Sequence, residues 1–195
     1  MKIILASKSP RRKALLEDIG LDFSVLVSDA DENYIGKSPE DTVSIIAERK
    51  GRAVLNRLEE SGCDISDTLI ISCDTLVCID DMYLGKPSDR ADVCRMINLL
   101  SGRAHNVVSG LCLIYNGKIV SECMSTQVIF SKLTQKQIER YADCDEPYDK
   151  AGAYAIQGKG SAFVESICGD YFNVVGLPIN LLCRMADKYF GINLV

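Results

Sequence analysis

Residues Ile3-Ile4-Leu5-Ala6-Ser7-Lys8-Ser9-Pro10-Arg11-Arg12-Lys13-Ala14-Leu15-Leu16 change character within one position. An apolar run that suits a buried strand gives way to small, hydroxyl-bearing and basic side chains. Pro10 fixes its own φ and lacks an N–H, which suits the first turn of a helix. Ser9 stands where a side-chain oxygen caps such a helix. Leu15, Leu16 and Ile19 recur at helical spacing until Gly20 ends the run. The spacing therefore predicts strand, tight loop, helix. A helix start offers free N–H groups and the positive end of a dipole, and both favour an anion. Arg11 and Arg12 add planar, permanently charged forks that match phosphate oxygens. The stretch reads either as a phosphate site, with Ser7, Arg11 and Arg12 as substrate-binding candidates, or as a capped helix with a solvated basic first turn.

At 195 residues the chain makes one large domain or two small lobes. It can bury roughly 70% of its unfolded surface and needs no covalent staples. The net charge is −5, and no basic run is longer than Arg11-Arg12-Lys13. That disfavours nucleic acid as a partner and leaves room for a small polyanion held by local cations. Nine cysteines are present, without the paired CxxC spacing of a zinc site. Cys73, Cys78, Cys112 and Cys183 sit in apolar runs and read as small core residues. No signal-like segment precedes the first strand, and no apolar run reaches membrane-spanning length. No membrane partner is expected, and a reducing cytoplasm fits best.

Further along, Phe23–Val27 reads as a short strand running into an acidic loop, Asp29-Ala30-Asp31-Glu32. Such a loop is either a solvated turn or part of a cation site. Ser38 and Pro39 open a helix to about Leu58. Lys50 falls on or beside its apolar stripe, either snorkelling outward or aiming its charge into a cleft. Asp67–Ile79 is the most apolar stretch, and its β-branched content predicts a central strand. Asp74 interrupts it. An acid there is costly unless paired, metal-bound or opened to a cleft; otherwise it caps a strand end. A hairpin at Asp80-Asp81 and a helix over 89–100 follow. Strands are expected at 104–109, 111–115, 118–125 and 127–130, with Asn116-Gly117 as a two-residue hairpin. A helix over 134–142, a strand over 162–167 and a last helix to about Tyr189 complete the chain. Glycines beside Asp, Lys and Gln in 149–160 suggest backbone close to a ligand, though a plain loop needs glycines too. His105 is the only histidine and is given no role, so acid–base chemistry falls to carboxylates, lysine or metal-bound water.

These candidates lie at the ends of apolar strands, where α/β sheets gather ligands. Cations to hold phosphates and acids to hold Mg²⁺ and activate water suit hydrolysis of a nucleoside triphosphate or similar polyphosphate. At this point the motifs resemble those of a known family. Leu5-Ala6-Ser7-x-Ser9-Pro10-Arg11-Arg12, Asp31-Glu32, Lys50, Asp74-Thr75-x-Val77 and Gly85-Lys86-Pro87 come first. Ser101-Gly102-x-x-His105-x-Val107-x-Ser109-Gly110, Asp149-Lys150-Ala151-Gly152-x-Tyr154-x-Ile156-Gln157-Gly158-x-Gly160 and Asn173-Val174-Val175-Gly176-Leu177-Pro178 follow. In this order the blocks resemble the Maf family of nucleoside triphosphate pyrophosphatases over nearly the whole chain.

The resemblance implies a single two-lobed α/β domain over residues 1–195. It would have a curved mixed β-sheet flanked by helices, related to the inosine triphosphatase-like fold, with a central cleft. It implies cleavage between the α- and β-phosphates with a divalent metal, Mg²⁺ or Mn²⁺. Ile156-Gln157-Gly158 is similar to the branch acting on dTTP and UTP, whereas the 7-methyl-GTP branch carries glutamate where Gln157 stands and an inserted residue between its Pro and Arg. Carried over by position, Asp74 is the base that activates water and Glu32 shares the metal. Lys50 and Lys86 hold phosphates, and Arg11, Thr75 and Gln157 bear on the choice of base. A glutamine amide can meet O4 and N3–H of uracil or thymine, and when flipped it suits cytosine. Ser109 stands where the family usually has threonine, which keeps the hydroxyl. A homodimer is left open. The competing reading is a nucleotide-sensing regulator of cell division that needs no turnover. Asp74, Glu32 and Lys86 together favour the enzyme.

Overall fold

A computed structural model describes residues 1–195. In chain order the elements are β1 (Lys2–Leu5), α1 (Pro10–Asp18), β2 (Ser24–Val25), α2 (Pro39–Glu60), β3 (Thr68–Ile79), β4 (Met82–Leu84) and α3 (Arg90–Leu100). Then come β5 (Ala104–Tyr115), β6 (Lys118–Phe130), α4 (Gln135–Ala142), β7 (Val164–Cys168), α5 (Tyr171–Val175) and α6 (Ile179–Phe190). The strands form one seven-stranded sheet in the order β2-β1-β3-β5-β6-β7, with β4 paired to β3. The sheet is mixed: β1 runs parallel to β2 and β3, while β4 is antiparallel to β3 and β7 to β6. This is the mixed α/β class expected from the sequence.

The chain divides into two compact units. The first comprises Met1–Asp74, Ser109–Met124 and Gly176–Val195; the second comprises Thr75–Val108 and Ser125–Val175. In the first unit, Ile4, Ala47, Val54, Ile70, Cys112 and Ile114 belong to one buried cluster. Close approach of α2 to the strands explains the small residues there. A Cβ on Gly110 would lie 2.5 Å from the Val43 carbonyl group, and one on Gly51 would lie 2.8 Å from Ser72 Oγ. Glycine inside a helix costs about 1 kcal/mol against alanine, and here it lets α2 lie directly on β3 and β5. Ser72 completes the contact by donating to the Ala47 carbonyl at 2.7 Å.

Several sequence expectations shift in detail. The strand expected over 23–27 shrinks to Ser24–Val25. The stretches 104–109 and 111–115 are one strand, as are 118–125 and 127–130. Gly110 therefore marks a place where a helix presses on a strand rather than a break in it. Asn116 and Gly117 both take positive φ, at 48° and 74°, as a two-residue hairpin demands. The strand expected at 162 begins only at Val164, after a 3₁₀ turn over Lys159–Phe163. The short helix α5 was not foreseen: Asp170 Oδ1 accepts from the Phe172 and Asn173 N–H groups at its start.

In the second unit, α3 and α4 share a core with β3, β5 and β6 built around Ile97, Leu100, Val128, Phe130 and Ile138. His105 is part of it. Its ring is 2% exposed, meets Phe130 edge-on at 5.0 Å, and pairs through Nε2 with the Tyr154 hydroxyl at 2.8 Å. Burial pushes its pKa down to about 4. The folded protein thus binds fewer protons than the unfolded chain between about pH 6.5 and 4, so stability is full above that window and falls with pH inside it. We expect unfolding free energy from urea titrations to drop by about 2 kcal/mol between pH 7.5 and pH 5, and a His105→Phe variant to lose much less. Equal losses in the two proteins would show that His105 is charged in the fold.

Candidate active site

The first unit gathers most of the sequence-derived candidates. Strands β2, β1 and β3 are mutually parallel neighbours, so their carboxyl ends point the same way. The Leu5–Ile71 register places Ser7 and the start of α1 at that end, beside the continuation of β3 towards Asp74. Ser9 caps α1, and Pro10 occupies its first turn. Ser7 is buried, and its Oγ accepts from the Ser9 N–H and from Arg12 Nη1, both at 3.2 Å. Arg12 Nε donates to the Gly176 carbonyl at 2.8 Å. Cys73 Sγ donates to the same carbonyl at 3.4 Å. The Arg12 guanidinium is thereby fixed next to the segment that carries Asp74. Arg11 lies half-buried on the same helical turn.

Lys50 settles between two acids. Strand periodicity puts Ser72 and Asp74 on one face of β3, and helix periodicity puts Ala47, Lys50 and Gly51 on one face of α2. Ser72 bonds Ala47, and Lys50 Nζ reaches Asp74 Oδ1 at 2.7 Å. Glu32 Oε2 meets the same ammonium at 3.1 Å. The Lys50 side chain is only 10% exposed and that of Asp74 16%, whereas Glu32 is 55% exposed. Of the two readings open for Lys50, inward aim is the one observed. The acidic loop divides its work: Asp31 Oδ1 accepts from the Asn33 N–H and shapes the turn, while Glu32 faces the lysine.

The second unit holds Thr75, Lys86 and Gln157. Thr75 is half-buried on β3. Lys86 is exposed, just past β4, whose Leu84 pairs with Val77. The Gly152 N–H donates to the Gly85 carbonyl at 3.0 Å, and a Cβ on Gly152 would meet the Val77 side chain at 3.0 Å. The 149–152 segment therefore packs beside the Gly85-Lys86 turn. Gln157 is exposed, next to buried Ile156. Two contributors escaped the sequence reading, the Gly176 carbonyl and Cys73. A backbone acceptor leaves no mark on residue type, and Cys73 looks like any core cysteine.

The donor set fits a hard divalent cation. Asp74 and Glu32 already converge on one positive charge, and carboxylate oxygens suit Mg²⁺ or Mn²⁺. No three His, Cys, Asp or Glu side chains form a closed metal cage.

The model of the family described as Maf-like protein matches residues 2–189. A relative from Clostridium acetobutylicum, named dTTP/UTP pyrophosphatase, is 44% identical over the full length of both chains. A protein of the same name from Clostridium botulinum strain Okra is 46% identical over 98% of each. Another from Bacillus anthracis is 45% identical over 96% of this chain and 95% of its own. Among solved structures, the Staphylococcus aureus Ham1 protein superposes with a TM-score of 0.55 at 14% identity. That match covers 96% of this chain and 99% of the Ham1 chain, a likeness of fold.

Removing the lysine charge tests the arrangement. In Lys50→Met, Asp74 and Glu32 lose their shared cation, and we expect a loss of about 1–3 kcal/mol in urea unfolding at pH 8, below the cost for a fully buried pair because Glu32 stays half in water. Adding Asp74→Asn to that variant removes the repulsion and restores part of the loss. A double variant no more stable than Lys50→Met would show that the two acids do not oppose each other.

Proposed function

The chain belongs to the Maf family, and on that premise we propose that it hydrolyses the α–β phosphate linkage of dTTP and UTP, giving the nucleoside monophosphate and pyrophosphate. Relatives that share 44–46% of its residues carry the name of that activity. The single observation that carries the reading is the placement of Asp74, an acid in an apolar strand, against Lys50 and Glu32. Asp74 accepts a proton from water as the water oxygen bonds to the α-phosphorus. The bond from that phosphorus to the bridging oxygen breaks, and pyrophosphate leaves with the electron pair. Arg11, Arg12, Lys50 and Lys86 balance phosphate charge with forks and point charges. Ser7 holds Arg12 in position. Arg11, Thr75 and Gln157 bear on the choice of base, and the Gln157 amide in its flipped orientation extends the range to CTP and modified pyrimidines. Asp74 and Glu32 would hold Mg²⁺ or Mn²⁺, which supplies Lewis-acid polarisation of the phosphoryl oxygens.

None of the helices is long and apolar enough to cross a membrane. No disulfide links any of the nine cysteines, and a reducing cytoplasm suits a chain of that kind.

Incubation with UTP and Mg²⁺ tests the proposal. Pyrophosphate and UMP should appear together. Orthophosphate appearing first, or binding without product, would overturn it. Asp74→Asn should slow turnover by about 10²–10⁴-fold, the span of a general base. Lys50 keeps Glu32 as a partner in that variant, so stability should fall by less than about 1 kcal/mol, or 2–4 °C in Tm. An Asp74→Asn protein that unfolds instead would mark the residue as structural.

A further inference from the structure

The glycines around Gln157 were expected to bring backbone near a ligand. What they approach is a carboxylate of the chain itself. Glu146 starts a 3₁₀ turn over Glu146–Asp149. Its Oε2 accepts from the Lys159 N–H at 2.8 Å, and its Oε1 accepts from the Gly160 N–H at 2.8 Å. The Tyr141 hydroxyl donates to Oε1 at 3.0 Å. Tyr141 is 4% exposed and belongs to the core of the second unit, so the carboxylate is tied to a fixed wall. Gly158 adopts φ 95° and ψ −148°, a conformation open in practice only to glycine. A Cβ there would lie 2.4 Å from Glu146 Oε2. A Cβ on Gly160 would lie 2.5 Å from the Ala155 carbonyl oxygen. Two consecutive N–H groups thus form an anion-binding nest, and the chain fills it from within. Gln157 is the exposed residue immediately ahead of that nest.

We propose that Glu146 is a positioning residue for base recognition: it holds the 158–160 backbone and so fixes where the Gln157 amide stands. The inference rests on the reading of Gln157 as the base-facing side chain. A carboxylate suits the task because it only accepts. Burial raises its proton affinity, but the Lys159 and Gly160 N–H groups, the Tyr141 hydroxyl and Lys150 outweigh that and leave the carboxyl below its usual range. A glutamine at 146 has one accepting oxygen and an NH₂ group, so one loop N–H would face a donor and go unpaired. The clamp supplies the rigid support that an amide reading a flat base edge requires.

The test compares kcat and KM for UTP and ATP, by pyrophosphate release, in Glu146→Gln, Gln157→Ala, Tyr141→Phe and the parent protein. For Glu146→Gln we expect KM for UTP to rise about tenfold with kcat changed by less than about threefold, and the UTP-to-ATP ratio of kcat/KM to fall about tenfold. Tyr141→Phe keeps both N–H bonds but unties the carboxylate from the wall, so the ratio should fall about threefold, less than in Glu146→Gln; a larger fall than in Glu146→Gln would overturn the clamp. A Gln157→Ala protein with the parent's ratio would overturn the base reading itself. If Gln157→Ala lowers the ratio and Glu146→Gln does not, the clamp alone is overturned. Should Glu146→Gln fail to fold, Gly158→Ala drives a methyl group against the same carboxylate from an exposed position and carries the same expectation; an unchanged ratio there overturns the clamp equally.

Discussion

An ammonium group shared by two carboxylates constrains the first unit more than any other contact. Lys50 is 8% exposed, and an uncompensated charge at that depth costs several kcal/mol. The compensation comes from Asp74 on a central strand and Glu32 on a loop. Three segments distant in sequence must therefore meet before the helix can bury its lysine. The loop gains most from this. It follows a strand of two residues; Ser28 and Asp31 only shape turns within it, while its last residues bond Thr42 and Asp41 at the start of α2. The same contact brings an acid to an apolar strand without leaving it orphaned, so one arrangement meets both a folding requirement and a chemical one.

Much of the architecture was legible because it rests on local signals. The Ser9-Pro10 and Ser38-Pro39 pairs announce helix starts that the structure places there. Asn116-Gly117 announces its hairpin through positive φ. The run from Thr68 to Ile79 is the central strand its β-branched residues imply. Less legible were features set by contact between distant segments. Gly110 resembles a strand break in sequence, yet it lies inside an unbroken strand. The start of β7 is delayed by a 3₁₀ turn that no residue pattern signals.

The candidate site divides along the same line. Asp74 stood out because an acid in a greasy strand violates the pattern around it. Lys50 was visible as a charge on an apolar stripe, but its direction depended on which strand α2 would cover. The acidic loop held three carboxylates that residue pattern alone did not separate; the resemblance singled out Glu32, and the fold shows Glu32 meeting the ammonium while Asp31 shapes a turn. The support for Arg12 was invisible, because a carbonyl on Gly176 carries no side-chain signature.

The close seating of α2 has a consequence for how such a chain can drift over evolutionary time. Gly51 follows Lys50 directly and touches Ser72; Gly110 touches the backbone at Val43. Neither glycine has a functional group, and neither contacts the acids. Yet a side chain at Gly110 would run into the Val43 backbone and lift the helix, carrying the ammonium away from its partners, and one at Gly51 would displace the Ser72 hydroxyl that ties the helix to β3. Such sites are silent in a catalogue of reactive groups and intolerant in practice. A mutational survey of this chain should therefore find its sharpest loss of fitness partly at positions with no chemistry of their own.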